Sequence, residues 1–240
     1  MKLSQAVFNS VVPDVHRLAP NLNSSFVRQT VHRAVHGAGP LPSAASAAEK
    51  QLEEQDGNVQ DAIHELIQNH AALAGAQGFV TNLGGLVTMT ATIPLNITGL
   101  ALLQCRLVAG IAHLRGYDLT DDRVRNAVVL TTLGEQGVKS LVKAKQIPGS
   151  PMVIATAPAY DPELDKLVAA EVMSALVGRV IGKKAASSAA RKIPFVGGVW
   201  AAGTDAFATW QVGRYAEREL RPRTAAAALD SGRTRRRRRG

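Results

Sequence analysis

Apolar residues recur every three or four positions along most of the chain, and no stretch sustains the alternation of a half-buried strand. Residues 21–36 are the first such segment, with Val27, Val31 and Val35 on one face and basic residues on the other. The spacing predicts an amphipathic helix here and, because it continues along the chain, an all-α fold.

Glycine and proline divide the helical segments. The breaker-rich stretch "GAGPLPS" at 37–43 precedes a predicted helix at 44–55, and "DGN" at 56–58 turns the chain. A long helix is predicted from Val59. Its predicted apolar stripe consists of Ile63, Leu66, Ile67, His70 and Leu73.

Two Ile-Pro steps mark the starts of further helices, because proline suits the first turn of a helix and breaks its interior. The step at Pro94 predicts a helix to about Arg115, which Gly116 ends, and Thr120 or Asp121 caps the next helix. A helix over 161–191 and one from Pro194 to about residue 220 repeat the design. We predict a bundle of two Ile-Pro-turn helical hairpins plus shorter flanking helices.

The segment from Leu66 to Cys105 contains no Asp, Glu, Lys or Arg. A spanning helix needs about 20 mostly apolar residues. Asn82, Asn96 and Arg106 dilute this one, and an arginine near the bilayer centre costs about 3 kcal/mol. The pattern therefore favours a packed bundle, with shallow membrane insertion as the alternative.

The positive charge is concentrated at the C-terminus, since removing six arginines there would lower the net charge from +9 to +3. These arginines are Arg233, Arg235, Arg236, Arg237, Arg238 and Arg239. Like charges repel one another, so we expect residues 223–240 to form a disordered tail. Anionic lipid headgroups and nucleic-acid phosphates both attract such a tail, but no aromatic residue interleaves the arginines to stack on bases. We therefore expect an anionic membrane surface as partner.

Candidate chemistry is sparse. His64 and His70 are six residues apart and face different sides of a helix, so we predict no metal site. No G-x-S-x-G nucleophile motif is present, no pattern indicates a cofactor, and Cys105 lies in an apolar run as a buried thiol.

One candidate polar cluster lies along the helix that ends at Gly116. Its members are Gln104, Arg106, His113, Tyr117 and Asp118. A His113–Asp118 pair could serve a hydrolase, although Asp118 could equally cap the next helix. A charge in an apolar helix needs a partner or an exit to water. The carboxylates considered for Arg106 are Glu65, Asp118, Glu171 and Asp205.

Several motifs together resemble the EcsC protein family. They are an Ala/Gly-rich helix, a G-F-x-T-x-L-G-G step, an Ile-Pro turn, a Q-x-R-L-x-x-x-I-A helix and a G-Y-D stop, and a second Ile-Pro-x-x-Gly step follows. The resemblance covers about residues 48–220. The motif residues are Gly78, Phe79, Thr81, Gly84, Gly85, Pro94, Gly116, Pro194 and Gly197.

This resemblance implies a bacterial helical protein, for which a hydrolase activity or a transport and assembly role has been suggested without an agreed reaction. We expect an N-terminal helical and linker segment at 1–43, the EcsC-like domain at 44–222 and the tail. The N-terminus shows no secretory signal, so we expect a cytoplasmic location, peripheral to the inner face of the cell membrane. The favoured role is non-enzymatic, in envelope or transport-related assembly with a protein partner at the membrane. A hydrolase and a nucleic-acid-associated protein are the alternatives.

Overall fold

The computed structural model describes residues 24–37, 42–83, 89–190 and 196–223. These ranges contain nine helices and no strand, so the prediction of an all-α bundle is confirmed. The helices are α1 Ser24–His36, α2 Ala44–Glu54, α3 Val59–Leu83, α4 Met89–Leu114, α5 Asp122–Thr131, α6 Gly134–Lys143, α7 Pro151–Ala155, α8 Pro162–Ala190 and α9 Val196–Glu219.

Local capping chemistry sets several helix ends where the sequence predicted them. Ser43 precedes α2, and its side chain accepts a hydrogen bond from the Ser46 amide at 3.0 Å. Asp121, one of the two predicted caps of α5, accepts from the Arg123 amide at 2.8 Å. Gly116 ends α4 with a φ of 83°, a left-handed conformation that glycine adopts without steric cost.

The predicted start of α4 was wrong. The helix begins at Met89, so Pro94 lies in its second turn instead of opening it. A proline there removes one backbone hydrogen bond, the one that its amide would give to residue 90, and the surrounding turns continue the helix. The second predicted Ile-Pro step, at 193–194, falls outside the described residues.

The long helices α3, α4 and α9 form the centre of the bundle. Helix α9 packs most extensively against α3, and α3 also packs against α4. Gly213 allows the closest approach: a Cβ there would lie 2.8 Å from Ile67 Cγ1 and 3.0 Å from Leu107 Cδ2. The predicted pairing of α8 with α9 as a second hairpin is not confirmed, because α9 makes few contacts with α8 in the part of the chain that is described.

One hydrophobic core joins α1 to the later helices. Val27, Val31 and Val35 are buried in it, as the pattern predicted. The apolar stripe of α3 is buried as predicted except at Leu73, which is 54% exposed. Leu73 lies at the edge of the stripe, and Ala74 takes the buried position one residue later.

None of the helices within the described ranges combines the length and the apolar character needed to span a bilayer.

Candidate functional site

Arg106 is buried on α4, and its partners are main-chain oxygens, not a carboxylate. Its guanidinium donates to the carbonyl of Pro42 and, at 3.3 Å, to the carbonyl of Ser43. Burial lowers the pKa of the guanidinium. The expected carboxylate pairing is therefore wrong. The carbonyls of Pro42 and Ser43, just before α2, lie within reach of the guanidinium and compensate its charge.

His113 and Asp118 do not form a catalytic pair. His113 Nε2 donates to Glu49 Oε1 at 2.9 Å, on α2. Asp118 is exposed and accepts hydrogen bonds from the Thr120 amide at 2.8 Å and the Thr120 hydroxyl at 2.7 Å. Those hydrogen bonds hold the pKa of Asp118 below its usual value. The expectation that Asp118 could cap α5 is also wrong, because Asp121 does so.

Gln104 connects two central helices instead of joining that cluster. It is fully buried on α4, and its Nε2 donates to Thr209 Oγ1 on α9 at 3.3 Å. Asp205 lies one turn before Thr209 and is also buried. A buried amide with a partner is expected in a helix–helix contact, so this arrangement holds α4 against α9.

Tyr117 holds the chain at the point where α9 ends. Its hydroxyl donates to the Arg221 carbonyl at 2.9 Å, and burial raises its pKa. The Arg223 amide donates to the Arg115 carbonyl at 2.9 Å, and the Arg223 guanidinium carbon lies 5.9 Å from the centre of the Tyr117 ring. These contacts, which we call the C-terminal clasp, fix residues 221–223 at the end of α4.

The clasp brings two cations to the surface. Arg221 and Arg223 are exposed, and within the described residues neither guanidinium has a carboxylate partner. The tail arginines Arg233, Arg235, Arg236, Arg237, Arg238 and Arg239 lie outside the described residues. The chain that carries them therefore leaves a basic end of the bundle.

The sequence did not predict a polar network between α3 and α9. His64 Nε2 lies 3.1 Å from Glu217 Oε1 and 3.2 Å from Arg214 Nη1, and Arg214 donates to Glu217 at 2.5 Å. Gln60 joins the network and accepts from Arg115 Nη2 at 3.0 Å. The spacing of Arg214 and Glu217, three residues apart on a helix, was a readable sign of one pair. Its hydrogen bonds join α3 to α9 and to Arg115 at the end of α4, so the network fastens these helices together.

A shallow cleft of about 400 Å³ lies between α6, α7 and the end of α9. Val142 and Tyr215 supply its apolar wall. The Glu135 carboxylate at its rim forms ion pairs with Lys139 Nζ at 2.7 Å and with Arg218 Nη2 at 2.6 Å. The second carboxylate of the cleft, Glu219, accepts a hydrogen bond from the Met152 amide at 3.3 Å.

Two aromatic side chains on α9 face solvent and were not predicted as functional. Phe207 is 58% exposed and Trp210 is 44% exposed. Their rings are stacked, with centroids 6.0 Å apart and planes inclined by 15°. Their separation of three residues places both on one face of the helix, which is a signal readable from the sequence.

The remaining predicted residues are placed as follows. Cys105 is buried, and burial raises its pKa to about 12, so the thiol is inert. Among the described residues, no three His, Cys, Asp or Glu side chains are grouped as a metal ion would require. Gly78, Phe79 and Thr81 fall in α3, Pro94 in α4 and Gly197 in α9, while Gly84, Gly85 and Pro194 lie outside the described residues.

Comparison with known proteins gives one match. The family model for the EcsC protein family matches residues 2–149, more than half of the 240 residues. No curated protein and no solved structure matches the chain. The matched range includes residues 2–43. It ends before Pro194 and Gly197, so the match does not support the assignment of these two residues to the family motif.

Proposed function

The chain belongs to the EcsC protein family, and from that starting point we propose that it is a non-enzymatic protein bound peripherally to an anionic membrane. Its place would be the cytoplasmic side of the cell membrane, where it would serve envelope or transport-related assembly with a protein partner. The observation that carries the proposal is the basic C-terminus. It begins at exposed Arg221 and Arg223 and, after residues 224–232 without a basic side chain, ends in six arginines.

The physical basis is electrostatic. Each basic residue held near an anionic leaflet contributes about 1 kcal/mol, so six arginines are enough to localise a protein that has no other attachment. The C-terminal clasp supports this role because it fixes the root of the tail on the rigid end of α4. The tail then transmits its attachment to the bundle.

Two alternatives receive less support. A hydrolase built on His113 and Asp118 needs these side chains in one cluster, and their hydrogen bonds lead to different partners. A nucleic-acid partner would use the same arginines, but residues 224–240 contain no aromatic side chain to stack on bases.

Flotation with vesicles tests the proposal. Full-length protein and a version ending at Gly232 would be compared on phosphatidylcholine vesicles with and without phosphatidylglycerol, each at low and high salt. We expect the full-length protein to bind the anionic vesicles at least 100-fold more tightly than the truncated protein at low salt, and high salt to reduce that difference.

The matched control replaces all six tail arginines by lysine, which keeps the charge and should keep most of the binding. Equal flotation of the full-length and truncated proteins would contradict the proposal. So would binding of full-length protein to duplex DNA but not to anionic vesicles, which would favour the nucleic-acid alternative.

A further inference from the structure

Helix α9 has one face that the bundle leaves open around Gly203, Phe207 and Trp210. Further along the same face, Arg214 contacts His64 of α3 and Arg218 contacts Glu135 of α6. The residues of this face recur every three or four positions and extend past the end of the helix into the C-terminal clasp. This outer face of α9 consists of Gly203, Phe207, Trp210, Arg214, Arg218 and Arg221. The buried positions, among them Asp205, Thr209, Val212 and Ala216, lie on the opposite side.

The outer face divides into an aromatic half and a basic half. Phe207 and Trp210 occupy the first, and Arg214, Arg218 and Arg221 occupy the second. Arg214 and Arg218 are paired with carboxylates, so the excess positive charge comes from the residues after the helix. Tryptophan at the headgroup level and arginine beside the lipid phosphates are common anchors of proteins at a membrane–water interface.

A third exposed apolar side chain lies at the same level. Helices α3 and α9 run antiparallel, with His64 opposite Glu217 and Ile67 opposite Gly213. The same register brings Leu73, 54% exposed, to the level of Phe207. Leu73 nevertheless lies on the side of α3 that faces α4, because Leu66, seven residues earlier on the same side, lies 3.5 Å from the place that a Cβ of Gly110 would take. The apolar part of the outer face of α9 therefore consists of Phe207 and Trp210.

We propose that the outer face of α9 is a second lipid contact, with Phe207 and Trp210 inserted at the headgroup level of an anionic bilayer. The inference rests on the proposed membrane function and adds the orientation of the protein, with α9 lying along the surface. Tryptophan and phenylalanine favour this region because their rings displace ordered water while the Trp210 indole N–H stays within reach of polar groups.

Charge and chain length support lipid as the occupant of this face. Trp210 and Arg221 are about 16 Å apart along the helix direction. The ten residues from Arg223 to Arg233 can span up to about 35 Å. The tail arginines can therefore meet the same anionic surface as the aromatic pair, so the two contacts act together. A polybasic cluster combined with a modest apolar contact binds a membrane more tightly than either contact alone.

The first arm of the test measures whether Trp210 enters the bilayer when the outer face of α9 is unchanged. Trp200→Phe leaves Trp210 as the single tryptophan of the chain. We expect the fluorescence of Trp210 in this full-length protein to be quenched when it binds vesicles that contain lipid brominated near the headgroup. In the control, truncation at Gly232 and high salt prevent binding, and the same vesicles should leave the fluorescence unchanged. Bound protein with an unquenched Trp210 would overturn the inference.

The second arm measures affinity by flotation. We expect Phe207→Ala combined with Trp210→Ala to bind mixed phosphatidylcholine–phosphatidylglycerol vesicles about tenfold less tightly than the parent. Tyr160→Ala is the matched control, because Tyr160 is an aromatic residue that is 40% exposed away from α9, and it should bind like the parent. Equal loss in both proteins, or in neither, would overturn the inference.

The two proposals fail separately. Tail-dependent flotation with no effect of the aromatic pair would leave the membrane function standing and remove the outer face of α9 from it. If size-exclusion chromatography with light scattering gave a dimer that Phe207→Ala and Trp210→Ala dissociate, with no change in flotation, the occupant of this face would be a second copy of the chain and the lipid contact would be refuted.

Discussion

The two sides of helix α9 differ in what their residues contact. On the inner side, the neighbours of Gly213 leave no room for a larger side chain, and Thr209 accepts a hydrogen bond from the buried Gln104 amide. On the outer side, Phe207 and Trp210 expose more apolar surface than a solvated helix needs. The inner residues are accounted for by what they touch within the chain, whereas the outer residues are not.

This difference separates stability from binding. Substitutions on the inner side should lower the free energy of unfolding and leave lipid binding to the fraction that remains folded. Substitutions on the outer side should lower lipid binding and leave the free energy of unfolding almost unchanged. A variant that behaves in the opposite way would break the comparison.

The largest expected effect is that of Gly213→Val. The new Cβ would lie 2.8 Å from Ile67 Cγ1, and the two further methyl groups have no space between α3 and α4. We expect a loss of about 3 kcal/mol in the free energy of unfolding, measured by urea denaturation.

The matched control for Gly213→Val is Gly203→Ala on the outer side of the same helix. A Cβ at Gly203 has no atom within 4 Å. Alanine should therefore stabilise α9 by about 0.5–1 kcal/mol through its better helix propensity. If both variants lost the same stability, close approach at Gly213 would not be the cause.

Arg106→Met should have the next largest effect. Methionine retains much of the volume but leaves the Pro42 carbonyl without its guanidinium donor. We expect a loss of about 2 kcal/mol in the free energy of unfolding. Arg106→Lys serves as the comparison, since it retains a cation that can reach a single carbonyl, and it should recover part of the loss. An Arg106→Met protein as stable as the parent would refute the assigned contacts.

His70 should give the protein a smaller, pH-dependent loss of stability. Burial lowers the pKa of His70 below 6.5, aided by the charge of Arg106, although its Nδ1 donates to the Leu66 carbonyl at 2.8 Å. The unfolded chain therefore binds this proton more readily. The stability that neutral His70 provides is present in full above pH 6.5 and is lost as the pH falls toward the native pKa. Urea denaturation between pH 7.5 and pH 5 should show a shallower dependence for His70→Gln.

The smallest expected effect on stability is that of the outer aromatic pair. Phe207→Ala with Trp210→Ala removes side chains that are about half exposed, and we expect a change within about 1 kcal/mol. Thermal unfolding followed by circular dichroism checks this. A loss as large as that from Gly213→Val would show that the pair serves packing, and the comparison between the two sides would fail.

Local signals made much of the fold predictable. The capping residue Asp121, the stop at Gly116 and the start of α3 at Val59 follow from the chemistry of a few adjacent residues. Leu73 could not be placed by the same reasoning, because it lies at the edge of a stripe and the positions of the neighbouring helices decide which edge is covered.

Contacts between residues far apart in the sequence were the part of the structure that the sequence predicted worst. Arg106 was expected to meet a carboxylate, but the linker at 42–43 supplies carbonyl oxygens from 64 and 63 residues away. The His113–Glu49 contact has the same separation. Such pairings depend on how helices are stacked, and the spacing of residues along one helix carries no information about that. The outer face of α9, by contrast, could have been read from its spacing alone.

The most direct test of the account is vesicle flotation of four proteins: the parent, the protein ending at Gly232, the Phe207→Ala/Trp210→Ala variant, and the protein that combines both changes. We predict that truncation weakens binding to anionic vesicles most, that the aromatic pair weakens it less and independently of salt, and that the combined protein does not float. Flotation of the combined protein as strong as that of the parent would contradict the claim that this basic and aromatic surface is the membrane contact.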